Sequence, residues 1–297
     1  MKKHTILFIA NPKAGTRRGV NFSEMILKYV DVKKYDYEIK FTERAHHATE
    51  IAADAVQRGI EYCFAIGGDG TVNEVAKALK GSQTCLGIIP CGSGNGLARH
   101  LKIPLKIEKA FQLIDKGKIL RMDSMLVNGI FSINVSGIGF DAHVADLFGK
   151  GKSRGFWNYA KLVINEFKKY PEQKFEITCD GHTSTHNLIV LAFANSSQFG
   201  NNAYIAPMAS VVDEYLDITM LRKMSIINAI TLAPKLFTKN IEKSDFVQII
   251  QAKNISVKTE KPVALHIDGE PAGTDTQFEI VVQPSSVNVL VPEVTYR

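Results

Sequence analysis

At 297 residues the chain exceeds one average domain and suits two. With 45% hydrophobic and 22% charged residues it can bury a sizeable core, which excludes a disordered or fibrous protein. The net charge of +6 comes without a dense basic tract, so it points to anionic phosphates or an anionic membrane surface rather than to nucleic acid.

In chain order, residues 5–10 read as a first strand that ends in Asn11-Pro12-Lys13-Ala14-Gly15, and a helix is expected over about 20–30. Residues 37–41 form a second strand closing on Thr42, and 45–56 have helical spacing with Gly59 as a stop. The third strand, 61–66, runs into Gly67-Gly68-Asp69-Gly70-Thr71 and a helix over 72–79. A fourth, 85–89, leads to Gly92-Ser93-Gly94-Asn95-Gly96 and helical stretches to 101 and over 107–114. Strands alternating with helices imply a parallel sheet covered on both faces, with ligands beyond the carboxyl ends of the strands, where Asn11, Thr42, Gly67 and Gly92 all fall.

After Asp123 the pattern changes. Residues 124–127 and 130–135 flank Asn128-Gly129, a strong hairpin signal, and 174–179 and 185–194 flank Asp180-Gly181. Further strands are expected at 216–221, 246–250, 255–259, 264–267, 278–282 and 287–291, interrupted by helical patterns over 156–169 and 226–237. This half reads as an antiparallel sandwich or barrel. The expected domains are therefore 1–123, nucleotide-binding, and 124–297, β-rich and acceptor-binding, with an active site in the cleft between them. The last strand is free to return toward the first domain.

Cys63, Cys85, Cys91 and Cys179 include no C-x-x-C pair, which suggests reduced thiols. The apolar run 6–10 is too short for a signal peptide core, and the longest later run, 188–194, is far below the roughly 20 residues that span a bilayer. A cytoplasmic protein with at most peripheral membrane contact is expected; a homodimer is left open.

The turn at 66–71 carries chemistry. Its glycines let the backbone approach a ligand, Thr71 is placed to cap the following helix, and the helix N-terminus faces an anion. Asp69 would repel a phosphate there unless a cation sits between them or the acid bonds loop amides itself. A second glycine loop, 92–96, again follows a strand and precedes a helix, with Ser93 adding a hydroxyl. A nucleotide with its Mg²⁺ is the resulting expectation. The P-loop is absent, since Asp146 stands where Gly151-Lys152-Ser153 would need a first glycine. The dinucleotide fingerprint also fails at Ala142.

These motifs, together with Ala206-Pro207-Met208-Ala209, Asp213-Glu214-Tyr215-Leu216-Asp217 and Ile267-Asp268-Gly269-Glu270, resemble the diacylglycerol kinase catalytic-domain family in order over nearly the whole chain. That family includes bacterial lipid kinases and the sphingosine and ceramide kinases. The resemblance implies an α/β N-terminal domain with a parallel sheet, like that of NAD kinases and phosphofructokinases, and a mainly antiparallel β-sandwich C-terminal domain. It implies ATP- and Mg²⁺-dependent phosphorylation of a lipid hydroxyl, with diacylglycerol or a related lipid alcohol at a membrane surface as partner. Asn11, Thr42, Gly67, Gly68, Gly70, Thr71, Gly92, Ser93, Asn95 and Glu270 would then surround the nucleotide. Asp69 would organise Mg²⁺ in a network reaching Asp123, and Asp268 would be the base. Asp213, with carbonyls of Ser210 and Tyr215, resembles a second, structural Mg²⁺ site, where Glu214 replaces the usual glycine.

Gly96 departs from the acid that bacterial relatives carry after Asn95. On its own, Asp268-Gly269 also reads as a type I′ hairpin turn, and Asp213 as a solvated turn acid. A non-catalytic ATP-binding protein and an NAD kinase stay as alternatives, and Asp268-Gly269-Glu270 argues against the second. His46 and His47 read as a helix start rather than a metal pair. The apolar stripe Phe156, Trp157, Ala160, Val163, Ile164, Phe167, beside Lys150, Lys152 and Arg154, reads as core with a possible membrane face.

Overall fold

The computed structural model describes residues 3–15, 21–150, 163 and 165–293. The chain divides into two compact units, one formed by residues up to Ser124 together with Pro284 onward, the other by Met125–Gln283.

The first unit alternates strands β1 (His4–Ala10), β2 (Tyr35–Phe41), β3 (Tyr62–Gly67) and β4 (Cys85–Pro90) with helices. The helices are α1 (Phe22–Tyr29), α2 (His47–Gln57), α3 (Asp69–Leu79), α4 (Gly96–His100), α5 (Ile107–Phe111) and α6 (Leu113–Lys116). Pairing is parallel in the order β2-β1-β3-β4. Residues 63–67 of β3 and all of β4 are buried on both faces, so these strands read as unbroken apolar runs rather than alternating ones. Phe8, Phe64 and Phe111 pack at the centre with their rings tilted, the Phe64 and Phe111 centroids 5.3 and 6.0 Å from that of Phe8. Gly87 on β4 makes room for this cluster: a Cβ there would lie 2.2 Å from the Phe64 ring. The end of β14 (Glu270–Val291) joins the same sheet, with Val289 beside Leu86 in parallel.

The second unit holds β5 from Met125 onward (whole strand Lys118–Val127), β6 (Ile130–Ser132), β7 (Val135–Gly139), α7 (Phe140–Lys150), β8 (Gln173–Cys179), β9 (His182–Leu188) and β10 (Val190–Ala194). It continues with β11 (Leu216–Leu221), α8 (Ile226–Phe237), β12 (Val247–Ala252), β13 (Asn254–Ile267) and the start of β14. The pairings β12-β11-β10-β7-β13-β14 and β13-β8-β9 are antiparallel. Strand β10 is covered on both faces: Leu191 and Phe193 enter one core cluster, Val190, Ala192 and Ala194 the other.

Three hairpin turns form as read, each with positive φ at both central residues: Asn128-Gly129 (48° and 76°), Asp180-Gly181 (46° and 89°) and Asp268-Gly269 (50° and 87°). Three readings change. The strand expected over 185–194 is two, β9 and β10, with different partners. The strand expected over 130–135 is broken at Ile133-Asn134, between β6 and β7, because those two amides serve a carboxylate instead of a ladder. The four short strands expected near the C-terminus are two long ones, β13 and β14, whose exposed polar stretches still pair through the backbone with register shifts between Lys258 and Val263. Of the apolar stripe, residues 151–162 and Ile164 lie outside the described residues; Phe167 is buried core, in edge contact with Phe140.

Candidate active site

In the first unit, three loops at the carboxyl ends of the strands are drawn together by backbone contact. Cys91 N–H donates to the Gly67 carbonyl at 2.8 Å. A Cβ on Gly92 would lie 2.5 Å from the Gly68 Cα, and one on Gly15 would lie 1.9 Å from the Cys91 carbonyl oxygen. Only glycine permits this approach, and Gly15 also has a φ of 67°. Asn11 spans the loops: its Oδ1 accepts from Lys13 N–H at 2.9 Å, and its Nδ2 donates to Thr71 Oγ1 at 3.3 Å.

The cap expected of Thr71 is not made. Gly68 is the N-cap of α3, and Thr71 lies buried in the first turn, against Gly67, where a Cβ would come within 2.5 Å of its side chain. The N-cap has no side chain to cover the first turn of α3, which leaves that end of the helix suited to a phosphate.

Asp69 opens α3, and its Oδ1 accepts the Gly96 N–H at 2.7 Å, tying the first glycine loop to the second. A carboxylate has about four acceptor sites, so holding this loop is compatible with holding a cation. Asn95 is buried with φ at 49°; its Oδ1 accepts from Gly92 N–H at 3.0 Å and its Nδ2 donates to the Gly92 carbonyl at 2.7 Å. Ser93, between them, is exposed. Arg99 Nε donates to the Gly94 carbonyl at 3.0 Å and so brings a guanidinium to this loop, a neighbour that motif reading did not single out.

Thr42 joins the strand ends through its N–H to the Ala10 carbonyl at 2.9 Å. Beyond it, Glu74 of α3 accepts the N–H groups of His46 and Ala48 at 3.0 and 3.1 Å, so the protein's own carboxylate occupies the start of α2.

In the second unit, Asp268 sits at the tip of the β13–β14 hairpin, and donors from β6 and the break after it surround its carboxylate. Ser132 Oγ and Asn134 N–H donate to Oδ1 at 2.6 and 3.0 Å, and Ile133 N–H donates to Oδ2 at 3.0 Å. Behind these lies a buried polar layer. Ser136 Oγ donates to Ser132 Oγ at 2.9 Å, Asn195 Nδ2 to the Ile133 carbonyl at 2.8 Å, and Ser196 Oγ to Asn134 Oδ1. Next to the turn, the buried His266 takes the Gly269 N–H on Nδ1 at 3.2 Å. Its Nε2 therefore carries the proton and donates to Asp141 Oδ2 at 3.0 Å. Gly137 leaves room for this pair, since a Cβ there would lie 2.5 Å from Asp141 Oδ2. Glu270 follows the turn and is exposed.

The remaining expected metal ligands are apart from Asp268 in the sequence and differently held. Asp123, 1% exposed, accepts the Ser285 N–H at 2.7 Å where the chain re-enters the first unit. Asp213 accepts the Tyr215 N–H at 3.1 Å and shares the Gln251 amide with Asp217, each at 3.4 Å; Ser210 is buried beside it in sequence. Burial, with a contribution from Asp213, pushes the Asp217 carboxyl up to about 6. Glu214 adopts a φ of 63°, the left-handed conformation that suits the glycine it replaces, and pairs with Lys253 at 2.9 Å. Among the described residues, no group of three or more His, Cys, Asp or Glu side chains is gathered as a metal cluster.

The diacylglycerol kinase catalytic-domain profile matches residues 5–127, and the YegS C-terminal NAD kinase beta sandwich-like domain matches residues 134–291. A diacylglycerol kinase of Mycobacterium tuberculosis is 30% identical over 84% of this chain and 82% of its own length. The chain belongs to the diacylglycerol kinase catalytic-domain family. A diacylglycerol kinase of Bacillus subtilis is 27% identical over 92% of this chain and 91% of that one. A crystal structure of a diacylglycerol kinase from Bacillus anthracis shares the fold, with a TM-score of 0.76 at 21% identity over 99% of this chain and 98% of that one.

Within this lipid kinase family chain, two groups of residues escaped motif reading. The donors to Asp268 are backbone amides and a serine more than 130 positions away. Their only trace in the sequence is the polar alternation Ser132-Ile133-Asn134-Val135-Ser136 within an otherwise apolar strand. The Asp141–His266 pair left a fainter mark, one histidine in the apolar run before Asp268.

Proposed function

We propose that the chain is an ATP- and Mg²⁺-dependent lipid kinase that phosphorylates the hydroxyl of diacylglycerol or a related lipid alcohol, with Asp268 as general base. The observation that carries this reading is the Asp268 carboxylate, oriented at a hairpin tip by Ser132 Oγ and two backbone amides. Two amides alone also hold the turn acid Asp180, so what favours Asp268 as a base is the added Ser132 hydroxyl with the buried polar layer behind it; a base must be held within hydrogen-bond reach of the proton it takes. The two relatives named diacylglycerol kinase favour a glycerolipid acceptor.

In the proposed reaction the Gly67–Thr71 and Gly92–Asn95 loops and the first turn of α3 hold the phosphates. Asp69 would present a carboxylate to the metal while keeping the Gly96 amide, and Glu270 assists in positioning the nucleotide. Magnesium, when bound, would offset the charge on the transferring phosphoryl group. Asp268 removes the acceptor hydroxyl proton as the oxygen attacks the γ-phosphorus and the bond to the β–γ bridging oxygen breaks, releasing ADP, and Ser132, Ile133 and Asn134 fix the plane of its carboxylate throughout.

The test is transfer of labelled γ-phosphate from MgATP to a panel of mixed-micelle lipids and to NAD, with wild type and Asp268→Asn side by side. Labelling of a lipid, lost by roughly 10²–10⁴-fold in the variant while ATP binding persists, is the expected result. Labelling of NAD alone, or ATP binding without any transfer, refutes it.

A further inference from the structure

Helix α8 (Ile226–Phe237) is apolar on both sides, yet among the described residues only one side is packed. Ser225 caps it by accepting the Asn228 N–H at 3.2 Å, so the helix is well terminated. Its inner face, Ile226, Ala229, Leu232 and Leu236, lies against a core cluster that includes Phe140, Val144, Phe167 and Ile241. The outer face presents Ile227, Ile230 and Phe237, which are 70%, 62% and 51% exposed, with Pro234 between them. Spacings of three, four and three residues put these four on one stripe. A surface helix of a water-soluble unit ordinarily turns polar side chains outward, so this stripe calls for a cover.

Charge selects the cover. Residues 218–241 contain Arg222, Lys223, Lys235 and Lys239 and not one Asp or Glu; the nearest acids beyond are Asp217, which is buried, and Glu242. Lys223 turns inward, its Nζ donating to the Phe167 and Tyr170 carbonyls, and burial lowers its pKa. Arg222 and Lys239 are exposed, the latter with its Nζ 4.6 Å from the Tyr204 ring centroid, and Lys235 is half-buried beside the stripe. Apolar side chains flanked by cations are the pattern of a helix lying in the plane of an anionic bilayer surface.

We propose that the outer face of α8 is a membrane-docking surface that seats on anionic phospholipid through Ile227, Ile230 and Phe237, with Arg222, Lys235 and Lys239 meeting the headgroups. The choice of a bilayer over another apolar partner rests on the lipid-kinase reading; the surface itself rests on exposure and charge. This helix is a different element from the 156–169 stripe, for which the sequence allows a membrane face.

The experiment is co-sedimentation of the whole chain, without nucleotide, with vesicles of equal parts phosphatidylglycerol and phosphatidylcholine or of phosphatidylcholine alone. Wild type should bind the anionic vesicles, and added salt should weaken binding. Ile227→Ser, Ile230→Ser and Phe237→Ser together should lower the partition at least about tenfold. Lys235→Gln with Lys239→Gln should lower it for anionic vesicles only. Circular dichroism and transfer to a short-chain, monomeric diacylglycerol should stay unchanged in both variants, since none of these side chains belongs to the proposed site. Undiminished vesicle binding by the triple variant overturns the proposal. So does a wild-type dimer that becomes monomeric in the triple variant without lipid, which would make a second copy the cover. Stripe-dependent vesicle binding with no lipid phosphorylated leaves the surface standing and sinks the kinase reading instead.

Discussion

Replacing Ser132 with alanine separates orientation of the Asp268 carboxylate from its charge. The serine is wholly buried, and its hydroxyl makes the shortest contact to the carboxylate, 2.6 Å to Oδ1, while accepting from Ser136 Oγ at 2.9 Å. Ser132→Ala removes a bond to a charged group, roughly 1.5–3 kcal/mol, and takes the acceptor from Ser136. For a cooperative unit of this size, roughly 2–4 °C of Tm per kcal/mol, differential scanning fluorimetry should show a fall of roughly 3–12 °C. The amides of Ile133 and Asn134 still grip both oxygens, so the base survives in a looser pose. Lipid phosphorylation should then fall about tenfold to a hundredfold in kcat, short of the loss in Asp268→Asn. The KM for ATP should hold, because Ser132 bonds Asp268 and Ser136, neither of them assigned to the nucleotide. An unchanged Tm would mean that the hydroxyl is not bonded in solution. A lowered Tm with an unchanged kcat would reduce the donor set to a structural role and undercut the general-base argument.

Gly15→Ala forces a Cβ to 1.9 Å from the Cys91 carbonyl at a φ of 67°, so it should lower Tm and weaken ATP binding at least about tenfold by calorimetry through separation of the loops. Replacing EDTA with MgCl₂ should raise Tm in wild type, by about 2.7 kcal/mol of stability at a hundred times Kd, and Asp213→Asn should reduce the rise, because a cation beside Asp213 and Asp217 would offset the repulsion by which Asp213 adds to the burial that raises the Asp217 carboxyl. Burial pushes the thiols of Cys63 and Cys85 up to about 12, so at pH 8 the thiolate fraction is on the order of a thousandfold below that of an ordinary cysteine, and iodoacetamide should label them far more slowly in the native than in the unfolded chain, with the native rate rising steeply toward pH 10 by mass spectrometry.

The readable parts of the fold were those whose cause is local. Asn-Gly and Asp-Gly pairs accept two consecutive positive φ angles at little cost, so three hairpins were marked before any long-range contact was known. The glycine loops are legible as glycine runs between strand and helix patterns, although the contacts that demand glycine, Gly15 with Cys91 and Gly92 with Gly68, join residues far apart in the chain. The break at Ile133-Asn134 was not readable, because apolar alternation continues through it and its amides find their acceptor at position 268. Thr71 looked like a cap because its residue type favours caps; the steric fit against Gly67 and the bond from Asn11 placed it inside the helix instead. The Asp141–His266 pair depends on α7 and β13 packing together, and no spacing rule links positions 125 apart.

Of the four carboxylates that motif reading assigned to metal or catalysis, three share one physical feature, and Asp213, which accepts from Tyr215 two residues on, does not. Asp69 accepts from Gly96, Asp123 from Ser285, and Asp268 from Ile133 and Asn134, in each case a backbone N–H distant in sequence. The same device appears where no chemistry was assigned. Glu74 holds the start of α2, and Asp180 holds Lys253 and Asn254, whose amides draw its carboxyl below the usual range against the opposing effect of partial burial. Accepting an amide therefore does not by itself mark a catalytic acid in this chain. It does decide which substitution is informative. Alanine removes both the charge and the acceptor, so a lost loop and a lost base give the same dead protein. Asparagine keeps one carbonyl oxygen for the amide and removes the charge. At Asp69 and Asp123 an Asn carbonyl can keep the Gly96 or Ser285 amide while the charge is removed. At Asp268, where both oxygens accept, an Asn side chain must turn its NH₂ toward one donor, and the variant loses stability as well as charge. Activity losses at the three positions are comparable only after that difference in folding is measured.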